Sequence, residues 1–117
     1  MEISRWAGSA RGRSRASALG EMLWLVANAT DPHGDFAKQA AETLSNLDAT
    51  LQEAGSHRSR LLSVQLILQS ISDKHEFEQL WLRWLGPDPA GWPQRCCFQA
   101  VLTPGFLIEI TAVAARG

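Results

Sequence analysis

The chain has 117 residues, 45% of them apolar and 20% charged, with nine Gly and five Pro. That length holds one ordinary domain, here taken as residues 1–117, and the mixture excludes disorder, collagen-like repeats and low-complexity assembly. Eleven Lys and Arg against twelve Asp and Glu leave a formal charge of −1, too little basicity for a protein held to DNA through its phosphates. Cys96 and Cys97 are adjacent and read as reduced thiols, since neighbours rarely meet disulfide geometry within one chain. No apolar run nears the roughly 18–20 residues of a membrane span. Met1 to Trp6 lack the apolar stretch of a signal peptide. The expectation is a cytoplasmic protein with neither DNA nor membrane as partner.

Ser14 to Ala18 and Met22 to Ala27 read as two strands around a turn at Leu19-Gly20-Glu21, the second nearly all apolar like a central strand. Asn28 to Gly34 is rich in turn formers. Phe36, Ala40, Leu44, Leu47 and Leu51 then recur at helical spacing, with Asp35 to cap the start and Gly55 to stop the helix. Leu61 to Ser70 alternates as a strand with one buried face. Ser72 to Glu76 supplies capping residues for a second helix, whose face is Phe77, Leu80, Trp81, Trp84 and Leu85 and whose end is Gly86-Pro87. Strands at Gln94 to Leu102 and Phe106 to Ala115 follow, joined as a hairpin through Thr103-Pro104-Gly105. The order ββαβαββ predicts an α+β fold, a mixed sheet with both helices on one face. The other face, with Leu107, Glu109, Thr111 and Val113, is semi-apolar and calls for cover by another subunit.

Glu109 is the only charge in Phe106 to Val113 and so sits at an exposed edge or beside a partner. A hairpin turning on residues 103–105 would put Glu109 on the same side as Arg95, Cys97 and Gln99. Arg95 would lie about 13 Å along the strand from Gln99, the formal partner of Glu109, too far for a direct ion pair but close enough to line one cleft. Arg11, Arg13 and Arg15 would share one side of a strand, as a solvated edge or as contacts to an anion. His33, His57 and His75 lack metal-ligand spacing, so no metal is expected.

Trp92-Pro93-Gln94-Arg95-Cys96-Cys97, followed by Leu107-Ile108-Glu109-Ile110-Thr111-Ala112-Val113-Ala114, resembles the C-terminal signature of the RidA (YjgF) family: a Pro-x-Arg-x-Cys strand, then a hydrophobic-Glu-Ile strand. Thr43 to Leu51 is similar to that family's first helix and Asp73 to Phe77 to the opening of its second, so the resemblance covers about residues 3–116. It implies a chorismate-mutase-like fold and a homotrimer with sheets facing inward and active sites between subunits. It also implies hydrolysis of reactive 2-enamine and 2-imine acids to 2-keto acids and ammonia, without a cofactor.

Residue by residue, the resemblance puts the substrate-binding arginine at Arg95, the cysteine at Cys97 and the acidic residue at Glu109. The chemistry agrees: a guanidinium grips a small carboxylate substrate through two parallel hydrogen bonds, and a carboxylate can orient a water and accept its proton. Cys97 would serve through backbone or packing rather than as a nucleophile. The chain departs from the family with Val26-Ala27 in place of Ser-Gly, Trp81 in place of Asn, Trp84 one turn later, and Arg13 near a pocket Tyr. These departures imply the shorter, divergent branch of the family, with a bulkier and more cationic cleft suited to a larger or more anionic substrate. Ala27, Trp81 and Arg13 join Arg95 and Cys97 as expected substrate contacts. The alternatives are a non-enzymatic ligand-binding or regulatory trimer and, third, an endoribonuclease-like activity.

Overall fold

A computed structural model describes residues 1–117. Three strands open the chain: β1 (Ile3–Ala7), β2 (Ser14–Leu19) and β3 (Met22–Asn28). Helix α1 (Phe36–Glu53) leads to β4 (Leu61–Leu68), and α2 (Lys74–Leu85) leads to β5 (Gln94–Gln99) and β6 (Ile108–Ala115). The six strands form one sheet in the order β1-β2-β3-β6-β4-β5, in which only β4 and β5 run parallel. No helix is long and apolar enough to cross a membrane.

Helix α1 follows its apolar spacing. Phe36, Ala40, Leu44, Leu47 and Leu51 are all buried, the Asp35 carboxylate accepts the Lys38 N–H at 2.9 Å, and Gly55 takes a left-handed φ of 81° just past the end. Both helices cover one sheet face, where Leu23, Leu25, Val64, Leu66, Ile108 and Ile110 meet Leu47, Leu51, Phe77 and Trp81 in a continuous core. The other face is uncovered, and Trp24 and Phe98 lie 45% and 43% exposed on it.

Two expectations change. An N-terminal strand, β1, precedes the predicted pair and occupies the sheet edge. The last two strands are not a hairpin either, because β4 lies between them. The crossover through α2 returns the chain parallel to β4 on its outer side. Residues 100–107 then carry it past the end of β4, so that β6 enters between β3 and β4 and pairs antiparallel with both. The turn at Thr103–Gly105 exists, with Phe106 N–H donating to Thr103 O at 3.0 Å, but it belongs to this longer connection.

The new register moves the candidate residues apart. Arg95 pairs with Val64 and Cys97 with Leu66, both buried under the helices, whereas Glu109 pairs with Ile67 on the open face. Consecutive strand residues point to opposite sides. Arg95 and Cys97 therefore do not share a sheet face with Glu109.

One buried amide ties the connections together. Gln39 lies within the apolar stripe of α1 and is fully buried. Its Nε2 donates to Gly34 O at 3.1 Å and Gly105 O at 2.9 Å, and its Oε1 accepts the Leu107 N–H at 2.9 Å. The loop after β3 and the loop before β6 are thus pinned to one side chain. At Gly105 (φ 95°) a Cβ would come within 3.1 Å of Pro32, so the two loops meet closely enough to require glycine. Replacing Gln39 by Leu strands three backbone groups and should lower stability by about 3 kcal/mol. Urea denaturation checks this, and a loss below about 1 kcal/mol would show that other contacts hold the loops.

Candidate functional site

The pairing of β2 with β3 ends at Ala16 and Leu25. Val26, Ala27 and Asn28 continue against β6 alone, so the β2 side of this stretch has no strand neighbour. The resulting notch is a cleft of about 650 Å³. The segment after β1, including Arg13, forms one wall and the bare end of β3 another. Asn46, Ala49, Thr50 and Glu53 of α1 flank it, and Thr103, Phe106 and Glu109 complete it. Because the notch interrupts the sheet, residues of both faces reach it: Ala27 and α1 from the covered side, Glu109 from the open one.

The walls are anchored. Trp6 pairs with Ala16 and Ala7 with Ser14, leaving Arg15 as the extra residue of a β-bulge. A bulge re-aims its side chain, and Arg15 accordingly turns to α1, where it donates to Thr50 Oγ1 at 2.8 Å and pairs with Glu53. Its Nε donates to Ala7 O at 3.0 Å, clasping the two ends of the β1–β2 connection. Asn46 Nδ2 donates to Asn28 O at 2.9 Å and Thr30 Oγ1 at 3.2 Å, fixing β3 and its following loop to α1.

Arg95 stands elsewhere, on the edge strand β5 beneath α2. Its guanidinium carbon lies 5.5 Å from the ring centre of Trp81 and 5.8 Å from that of Phe77, which stack on each other. One terminal nitrogen pairs with Glu78, and the other, Nη1, is buried without a hydrogen-bond partner. The side chain is only 15% exposed. An aromatic floor and one carboxylate hold the cation in place and leave one donor unused, a rare condition for a buried N–H. Cys97 follows on the same side of β5, and burial pushes its thiol pKa upward, so it stays protonated near neutrality and is a poor nucleophile.

The predicted residues thus fall into two groups. Arg13, Ala27 and Glu109 line the cleft, while Arg95, Cys97 and Trp81 form the cluster under α2. The three N-terminal arginines do not share one strand side as expected: Arg11 and Arg13 precede β2, and only Arg15 lies in it, on a bulge. Sequence reasoning missed Glu78, Gln39 and Arg15 as builders of these groups. Glu78 stands three residues before Trp81 on the same helix face, and Gln39 three after Phe36, so helical spacing carried a signal for both. The bulge at Arg15 left none.

The family model described as Endoribonuclease L-PSP matches residues 26–116. The chain is 34% identical over 82 residues to the RutC family protein YoaB of Escherichia coli (strain K12), covering 69% of this chain and 70% of that one. It is 31% identical over 87 residues to a RutC family protein of Haemophilus ducreyi, covering 74% and 73%. Among solved structures it is similar to an uncharacterized protein from Pseudomonas aeruginosa, at 32% identity and a TM-score of 0.89 over 99% of this chain and 100% of the other. It is also similar to a member of the YjgF protein family from Neisseria meningitidis, at 25% identity and a TM-score of 0.88 over 100% and 97%. With its α+β sheet and two helices on one face, the chain belongs to the Endoribonuclease L-PSP family, also called the YjgF, RidA or RutC family, of chorismate-mutase-like fold.

Proposed function

We propose that the protein hydrolyses reactive 2-imino acids, and their enamine tautomers such as 2-aminoacrylate, to 2-keto acids and ammonia. The observation that carries this reading is the unused Nη1 donor of Arg95, a preset guanidinium short of one acceptor. A carboxylate supplies that acceptor, and Trp81 and Phe77 keep the planar fork oriented for it. Glu109, at the open-face mouth of the cleft, is the group to orient a water. Water attacks the carbon of the protonated imine: the C–O bond forms, the C=N π pair moves to nitrogen, and Glu109 takes a proton from the water. Glu109 returns that proton to the nitrogen of the resulting carbinolamine, the C–N bond breaks to release ammonia, and the hydroxyl gives its proton to Glu109 as the C=O bond forms. The substrate is already electrophilic, so these steps call on no cofactor.

Arg95 stands on the edge strand β5 and is not among the residues lining the cleft of Glu109, so a site that uses both would draw on two chains. The uncovered sheet face, with Trp24, Val26, Ile67 and Val113, is the surface through which chains would join. We accordingly place the site between protomers of a homotrimer, Arg95 from one and the Glu109 cleft from its neighbour.

A second reading has its own support. The pairing of Arg95 with Glu78 and the aliphatic side chains at Val26 and Ala27 suit a cleft that binds a small acid without turning it over. RNA cleavage, named in the family model, is less well supported by a chain of formal charge −1.

A coupled assay in which a dehydratase generates 2-aminoacrylate separates these readings. Hydrolysis is expected, with Glu109→Gln lowering kcat about 10²–10⁴-fold at little change in KM. Arg95→Ala should instead raise KM, and Arg95→Lys should fail to restore it because lysine lacks the fork. Wild-type rates equal to the uncatalysed background would refute the deaminase reading and favour the binding one.

A further inference from the structure

We infer that Arg13 makes the cleft selective for substrates bearing a second carboxylate, 2-imino dicarboxylic acids of four or five carbons. The inference rests on the deaminase reading for the reaction but on separate observations for the ligand class. The charges of the cleft decide it. Arg13, Arg15, Glu53 and Glu109 are the Arg, Lys, Asp or Glu side chains that line it. Arg15 and Glu53 neutralise each other, and Arg15 is further occupied by Thr50 and Ala7 O. The chain's ion pairs join Arg15 to Glu53, Lys38 to Asp31, Arg58 to Asp48 and Arg95 to Glu78, and Arg13 takes part in none of them. The cleft therefore presents one free guanidinium in the same cavity as the carboxylate that would activate water.

The position of Arg13 is built into the chain. Gly12, at φ 86°, turns the backbone immediately before it, and β2 begins immediately after it at Ser14. The Arg15 bulge, clamped to Ala7 O and to α1, fixes the segment from the other side. Space agrees with charge. About 650 Å³ is ample for a ligand larger than a three-carbon acid. A substrate whose first carboxylate goes to Arg95 and whose second reaches Arg13 would satisfy both cations and leave the imine carbon between them, facing Glu109. A monocarboxylic imine would offer Arg13 no carboxylate of its own to bind.

Imines made in situ by amino-acid oxidases, from leucine on one side and from aspartate or glutamate on the other, test this through semicarbazide trapping. The wild type should favour the dicarboxylic imines in kcat/KM. Arg13→Gln should reduce that preference about 10–100-fold, mainly through KM, and Arg13→Lys should recover part of it. Calorimetric binding of 2-oxoglutarate and pyruvate supplies a readout free of turnover, with 2-oxoglutarate expected to bind more tightly and to lose that advantage in Arg13→Gln. Equal or better hydrolysis of the monocarboxylic imine, or a preference unmoved by Arg13→Gln, would overturn the inference and leave the deaminase reading standing. Absent hydrolysis with Arg13-dependent 2-oxoglutarate binding would do the reverse, and absence of both would overturn both.

Discussion

In a β-sheet the two faces are fixed by alternation, and β6 is where this matters most here. Lying between β3 and β4, it sends Ile108, Ile110, Ala112 and Ala114 into the core and leaves Glu109, Thr111 and Val113 outside. A one-residue slip would bury the carboxylate and expose the isoleucines, so the apolar stripe locks Glu109 on the open face. The same rule applied to β4 and β5 locks Arg95 on the covered face. Every functional statement about this chain begins from that separation.

The two groups are also built differently. Arg95 rests on rigid material, a strand below and an aromatic stack on α2 beside it. The cleft of Glu109 is made largely of connections, and its definition comes from side chains that bridge them to α1. Gln39 pins two loops, Asn46 holds the end of β3, and Arg15 closes the β1–β2 segment. Of these three only Gln39 is fully buried, and bridges of this kind fix the geometry of the loops they join. One helix thus carries both the main core stripe and the fastening of the candidate site.

What the sequence made legible is local. The stripe of α1, its Asp35 cap and its Gly55 stop follow from spacing and backbone preference between residues 35 and 55. The alternation of Val64, Leu66 and Leu68 in β4 likewise identified the buried face there, but not at Leu62, which aligns with them by spacing and lies exposed where the register shifts after Leu61. Which strand sits beside which depends on contacts distant in the chain, and there the reading failed. A turn at Thr103–Gly105 between two strands implied a hairpin, yet β6 gains two neighbours by passing between β3 and β4, burying its apolar side more fully than a hairpin edge would. That choice moved Arg95 away from Glu109. The residues Arg13, Ala27 and Glu109 were named from sequence and do meet at one cleft, while Glu78, the partner of Arg95, became visible only with α2 in place.

The split of the site between chains can be read directly by complementation. Two impaired variants, Arg95→Ala and Glu109→Gln, are unfolded together, refolded as a mixture and assayed for imine hydrolysis at a substrate concentration below the wild-type KM, where each alone turns over little. In a closed ring that takes Arg95 from one protomer and Glu109 from the next, random mixing gives about one quarter of the sites both native residues, and about that fraction of wild-type activity should return. If the mixture stays as inactive as either variant alone while mixed oligomers are shown to form, the shared site is contradicted.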